Sequence, residues 1–271
     1  MRSPFGQADS ETLVVTGHPN HELAILGIVQ RARPQILVIT DGGKAERVAE
    51  SRAVFAHLGL ADRVHFLNVP ESDLYRGLLD RDNSIVRRVV TEVREMIELI
   101  APGQILCESL EFYNPLHDLT LPIVRAASRH RPEIAILEFP LIAEIPNEEG
   151  RFRVQRPPAS REGAARSVRL TSRELSVKLE AAAHRYPSLR QQMGEVLDGI
   201  SPEHAAVECF LVADSGLPVP GTEFALRYEE RGYALQRRGL VDRVITFRDH
   251  FLPAIAALEA AAPSPPGRGS G

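Results

Sequence analysis

The feature that most constrains this chain is an alternation in its first half, where short, almost unbroken apolar runs are separated by stretches of helical periodicity. Thr12-Leu13-Val14-Val15-Thr16 ends at Gly17, and Gln35-Ile36-Leu37-Val38-Ile39-Thr40 ends in Asp41-Gly42-Gly43. Three more runs follow at Val64-His65-Phe66-Leu67, Ile105-Leu106-Cys107 and Ile134-Ala135-Ile136-Leu137-Glu138-Phe139. Runs this short and apolar on both faces read as strands covered from two sides. Between them, residues 23–30 read as a helix or buried turn, and residues 44–59 as a helix that stops at Gly59. Residues 83–100 set Val86, Val89, Val90, Val93 and Ile97 on one wide face, and residues 117–129 are helical again. The pattern predicts an α/β fold with a Rossmann-like, mostly parallel sheet and helices on both faces. Ligands of such sheets bind beyond the carboxyl ends of the strands, so chemistry is expected in the loops after residues 16, 40, 67, 107 and 139.

The second half is mainly helical and less regular. Residues 151–170 are basic and loop-rich, a hairpin or a mobile segment. Thr171 and Glu174 have the spacing of a capping box and predict a helix to His184; further helical stretches cover 187–204, 223–239 and 247–261. The expected organisation is one α/β domain over residues 10–260, with its core in 10–140, a helical or irregular portion in 141–260, and a disordered tail at 262–271. Charge narrows the function: Lys+Arg 32 against Asp+Glu 36 gives a net −4, with no basic footprint for nucleic acid or an anionic membrane. Cys107 and Cys209 are too few for a disulfide framework, no run is long enough to span a membrane, and residues 1–11 lack the apolar stretch of a signal peptide. The expectation is a cytoplasmic protein acting on a small molecule, with a homo-oligomer left open. Nine histidines beside no tryptophan are the compositional oddity.

The densest polar cluster, Gly17-His18-Pro19-Asn20-His21-Glu22, follows the first strand. His18 and His21, three residues apart at a strand-to-helix turn, can converge on one metal ion, with Glu22 as a carboxylate orienting a ring; a polar capping loop is the plain alternative. A second cluster, Glu108, Glu111, Tyr113, Asn114, His117 and Asp118, follows the strand ending at Cys107. If the two loops meet, His117 completes a three-nitrogen site with an open position, the composition of a catalytic rather than a structural zinc site.

These motifs resemble those of the zinc-dependent de-N-acetylase superfamily, the PIG-L or LmbE-like proteins. The family's A-H-P-D-D-E is matched by Gly17-His18-Pro19-Asn20-His21-Glu22, and its T-D-G by Thr40-Asp41-Gly42. Its R-x-x-E and following A-x-x-x-L-G element correspond to Arg47, Glu50, Ala53, Leu58 and Gly59, and its H-P-D-H-D to Asn114-Pro115-Leu116-His117-Asp118. Lys178 and Ala181 echo a later K-x-x-A, and Tyr228-Glu229 with Val244 to His250 resemble the end of bacterial LmbE-like proteins.

The resemblance implies metal ligands at His18, His21 and His117, with an imidazole where the family has a carboxylate. It also places Asn20 at the general-base position and Asn114 at that of an electrophilic histidine. A neutral amide orients water but takes no proton from it. Three neutral imidazoles leave a divalent ion its full +2 charge, which acidifies bound water. Glu108, Glu111, Asp118 and Asp41 are the carboxylates able to replace the lost base, Glu108 first because it directly follows its strand. Arg47, Asp41 and Tyr113 are expected to bind substrate. The implied activity is metal-dependent hydrolysis of a C–N amide bond in a small polar or sugar-like metabolite. Zinc is the leading ion, but three histidines equally admit iron, copper or manganese. The same ligands admit redox or lyase chemistry on a repurposed scaffold, or a non-catalytic binding relative.

Overall fold

The computed structural model describes residues 11–148, 150–213, 220 and 224–260. The leader reading at the N-terminus and the predicted tail at 262–271 lie outside them. The chain runs β1 (Thr12–Thr16), a 3-10 turn (His21–Ile25), α1 (Leu26–Ala32), β2 (Gln35–Thr40), α2 (Ala45–His57), β3 (Val64–Val69), α3 (Glu71–Asp80) and α4 (Ser84–Ile100). It continues through β4 (Gln104–Glu108), α5 (Pro115–Ser128), β5 (Ala135–Phe139), β6 (Ile142–Glu144), β7 (Phe152–Val154), α6 (Ala159–Glu162) and β8 (Arg166–Arg169). The last elements are α7 (Ser172–His184), α8 (Pro187–Asp198), α9 (Pro202–Ala205), β9 (Val207–Val212), α10 (Arg227–Arg237) and α11 (Leu252–Ala260).

Seven strands form the main sheet in the order β3-β2-β1-β4-β5-β9-β8. β1 pairs in parallel with β2 on one side and β4 on the other, with Val15 opposite Leu37 and Cys107. All five residues of β1 and of β4 are buried, as strands with helices on both faces must be. One core layer packs Val89, Val93 and Ile97 of α4 and Leu119 and Val124 of α5 on the sheet; the other packs Ile28 and Val29 of α1 and Phe55 of α2. The chain winds outward from β1 in both directions, so the strand order reverses between β1 and β4. That reversal opens a crevice at the strands' carboxyl ends, between the loops bearing His18, His21 and His117.

The first half follows the sequence pattern closely, except that α3 has no counterpart in it. The second half departs further. β9 was not foreseen; it runs antiparallel to β5 and carries β8 at the sheet edge. The basic segment is structured, with β7 pairing antiparallel to β6 and β8 joining the main sheet. The capping box forms as expected: the Glu174 backbone N–H donates to Thr171 Oγ1, and the Thr171 backbone N–H to Glu174 Oε2 at 2.7 Å. β9 and α7 together anchor the site's first helix. Glu208 accepts from the N–H groups of Gly27 and Ile28, and Lys178 Nζ donates to Glu208 Oε1 at 2.9 Å and to the Ala24 carbonyl at 2.7 Å. Among the described residues no helix is long and apolar enough to cross a membrane.

Candidate metal centre

The loop after β1 must turn sharply to lay two histidines over the end of the sheet. Gly17 is the hinge: a Cβ there would stand 2.8 Å from Thr120 Oγ1 and 3.0 Å from Glu108 Oε2. Asn20 adopts a left-handed conformation (φ 77°), which asparagine tolerates better than most residues. The turn is then held from below. Asn20 N–H donates to Ser51 Oγ at 2.8 Å, and Arg47 donates to Asn20 Oδ1, the Pro19 carbonyl and the Gly42 carbonyl.

The crevice brings His18, His21 and His117 together. Their ring centres are 5.0 Å apart for His18–His21, 4.8 Å for His18–His117 and 4.4 Å for His21–His117. With metal–nitrogen bonds near 2.0–2.1 Å, tetrahedral angles put the ring centres of three imidazole ligands about 5 Å apart. The rings therefore stand near the required spacing. Their donor atoms are not yet converged: among the described residues no group of three or more His, Cys, Asp or Glu side chains is arranged to hold a metal ion as it stands.

Nitrogen by nitrogen, the donor set suits a cation. His18 Nδ1 donates to Glu71 Oε1 at 2.5 Å, with Thr40 Oγ1 at 2.9 Å. Its buried Nε2 has no partner among the described residues. His21 Nδ1 donates to Glu108 Oε1 at 2.8 Å, which leaves its Nε2 as the nitrogen with a free lone pair. Burial first, then the neighbouring histidines, hold His21 and His117 well below the ordinary imidazole value, so both are neutral donors. An orphaned nitrogen in a nest of imidazoles, two of them backed by carboxylates, fits a divalent ion better than solvent alone.

The carboxylates do not stand where the sequence suggests. Glu108 is fully buried and does not line the cavity; Oε1 accepts from Gly17 N–H and His21 Nδ1, and Oε2 from the Thr120 hydroxyl. Burial pushes its carboxyl up to about 7. It orients His21 from behind rather than meeting a water in the crevice. Asp118 is also fully buried and ties the loop after β4, accepting from Glu111 and Phe112 N–H. Asp41 accepts from Gly43 N–H and from Glu71 N–H at the start of α3, outside the cavity. Glu22 faces Tyr186, whose hydroxyl donates to it at 3.0 Å, and touches neither histidine through a hydrogen bond of its own. The carboxylate that does enter the cavity is Glu71, on the unforeseen helix α3. Burial acts to raise its carboxyl, but His18 overrides this and holds it below its ordinary value.

Asn20, Arg47, Tyr113 and Asn114 line the cavity together with the three histidines. Asn114 caps α5, its Oδ1 accepting from Leu116 N–H at 2.8 Å and from the Tyr75 hydroxyl at 3.3 Å. The Tyr113 ring is tilted 31° to that of His117 with their centres 6.1 Å apart. Arg47 is engaged with backbone on two sides, so it reinforces the turn and adds positive charge beneath the imidazoles.

Glu111, a candidate base, belongs to the scaffold: its Oε2 accepts from Leu141 N–H at 2.7 Å and Ile142 N–H at 2.8 Å. Burial pushes its carboxyl up to about 8 from an ordinary 4.5, so the folded chain retains a proton that the unfolded chain releases. This contribution makes stability fall as pH rises from about 4.5 towards 8. Glu111→Gln, which needs no proton, is expected to flatten that fall in denaturant titrations at pH 5 and pH 8; an unchanged slope would remove Glu111 as its source.

No protein-family model matches the sequence, and no curated protein matches it significantly. Solved structures do match. A deacetylase of the teicoplanin biosynthesis pathway, in complex with bog, superposes with a TM-score of 0.54 at 16% identity, covering 76% of this chain and 100% of that one. This chain shares the fold of that deacetylase. The zinc-inhibited form of teicoplanin deacetylase gives a TM-score of 0.54 at 15% identity, covering 76% of this chain and 100% of the other. The A40926 pseudoaglycone deacetylase gives 0.52 at 14%, covering 75% and 96%. In this shared fold the two motif loops face one another across the crevice between β1 and β4.

Proposed function

We propose that the chain is a metal-dependent hydrolase of a C–N amide or N-acyl bond in a small molecule whose amine part is polar or sugar-like. The observation that carries this reading is the gathering of the His18, His21 and His117 rings at the switch point of the sheet, with the buried His18 Nε2 unpartnered among the described residues. The likeness to solved deacetylases supports the same class. A divalent ion held by the three imidazoles, zinc first, would supply Lewis acidity and an acidified water.

The remaining work falls to the chain's own residues. The Asn20 amide is tied at both ends, Oδ1 accepting from Arg47 Nε at 3.0 Å and Nδ2 donating to the Arg47 carbonyl at 3.2 Å and Ser51 Oγ at 3.3 Å, so it holds the turn beneath the histidines and takes no proton. Tyr113 keeps its proton, since burial raises its hydroxyl, and remains a donor for a carbonyl oxygen. Asn114 and Tyr75 share a hydrogen bond at the cavity wall and supply polar contacts on that side. Glu71 is the carboxylate among the described lining residues, facing the same space as His18.

Elemental analysis of the purified protein tests the reading, together with release of a carboxylic acid from N-acylated amines. About one divalent ion per chain and acid release that a chelator stops are expected. Metal-free protein with full activity would overturn it. A redox-active metal with oxygen consumed in turnover would move the chain to oxidative chemistry.

A further inference from the structure

The cavity above the histidines measures about 700 Å³, the size of a site for a drug-sized ligand and far larger than an acetyl group needs. One of its walls has no use in the hydrolysis itself. Helix α8 is kinked at Met193 (φ −132°) and carries Leu189 before the kink and Val196 and Leu197 after it; these four apolar residues form a bent stripe, yet none of the helix's residues is fully buried. All four line the cavity, and Leu141 and Ile142 extend the same surface. The stripe packs against the core on one side and is left open to the cavity on the other.

This wall starts at the reacting centre. Tyr113, next to His117, reaches Met193 Sδ with its hydroxyl at 3.8 Å, so the stripe begins one side chain from the imidazoles. The lining on α3, α10 and the segment after it is mixed, with Glu71, Tyr75 and Arg231 beside Leu79, Leu235, Val244 and Ile245. A carbonyl carbon at the histidines thus has a mostly apolar wall on the α8 side and a mixed one, bearing the charged groups, on the other. An amide placed there is best matched by an apolar acyl group along α8 and a polar amine towards Glu71.

Resting on the hydrolase reading, we propose that the group removed is an unbranched, medium-length to long acyl chain, about six to ten carbons, seated along α8. Water adds across the amide: the carbon–nitrogen bond breaks, the acyl carbon takes the water oxygen and leaves as a carboxylic acid, and the nitrogen takes a hydrogen and leaves as the amine. Affinity then grows with each methylene that the wall removes from water, by about three- to fourfold in the constant.

The experiment has a binding arm and a turnover arm. Calorimetric titration of the protein as purified with acetate, hexanoate and decanoate is expected to show Kd falling about three- to fourfold per methylene. Val196→Asp and Leu189→Asp should each weaken decanoate at least tenfold; because both residues also pack on the core, melting curves accompany each variant, and Val196→Ala, which keeps an apolar contact, should weaken decanoate by a smaller factor. Leu99→Asp, at an apolar residue 77% exposed on α4, should leave binding unchanged. Absence of chain-length dependence, or loss in Leu99→Asp equal to that in Val196→Asp, overturns the proposal, as does tighter binding of 4-phenylbutyrate than of decanoate. In turnover, N-decanoylglucosamine should be cleaved at least tenfold more efficiently than N-acetylglucosamine. Equal cleavage overturns the chain proposal and leaves the hydrolase intact; chain-length-dependent binding with no cleavage of either compound overturns the hydrolase reading itself.

Discussion

His18→Ala is expected to empty the metal centre, taking bound divalent ion from about one per chain to near zero and acid release to background. His18 is the most enclosed of the three imidazoles, 1% exposed, and its Nδ1 is already committed to Glu71, so its Nε2 has no role in holding the protein together. Losing it leaves two nitrogen donors, below the three protein ligands of catalytic zinc sites. The fold should survive, because Glu71 retains partial exposure to the cavity and the turn is held independently by Arg47 and Ser51. His117→Ala removes a ligand from the opposite loop and should behave the same way. The decisive measurement is metal content by elemental analysis alongside thermal melting. Retention of a full equivalent of metal in both variants would mean that the imidazoles gather for another reason.

The fold was largely legible because its cause is local. Strands covered on both faces must be apolar throughout, so β1, β2 and β4 announce themselves in the composition of a few residues. The same logic placed the two histidine loops at strand ends, and strand order then joined them. α3 escaped because Glu71-Ser72-Asp73 follows Pro70 and its short apolar stripe is broken by charge; with it went Glu71, the one carboxylate among the described residues lining the cavity. β9 escaped because its pairing with β5 is antiparallel and long-range, and nothing in Val207 to Val212 announces a partner some seventy residues earlier.

Glu108 was misplaced for a subtler reason. Read as the first loop residue, it belongs in solvent; as the last residue of β4 it lies in a strand buried on both faces. A buried carboxylate after an apolar run is costly unless something compensates it, and here Gly17 N–H, His21 and Thr120 do so. Placing Glu108 inside β4 rather than after it separates a solvent-facing base from a buried support.

That placement gives the second large effect. Glu108→Gln is expected to weaken metal binding about tenfold with melting near wild type, and Glu108→Ala about a hundredfold with a loss of roughly 1–3 kcal/mol in stability. Glutamine keeps an oxygen for Gly17 N–H and His21 Nδ1 but removes the negative charge that makes His21 a stronger donor. Alanine removes both, and leaves a buried backbone N–H and an unsupported ring. The comparison also bears on the charge of the centre. Three neutral imidazoles alone would expose an ion's full +2, but Glu108 behind His21 and Glu71 behind His18 return negative charge from one bond further out. Metal-competition titrations of the two variants, with Thr120→Ala as a control that touches only Oε2, separate charge from packing. Wild-type affinity in Glu108→Gln would show that the carboxylate serves the backbone alone.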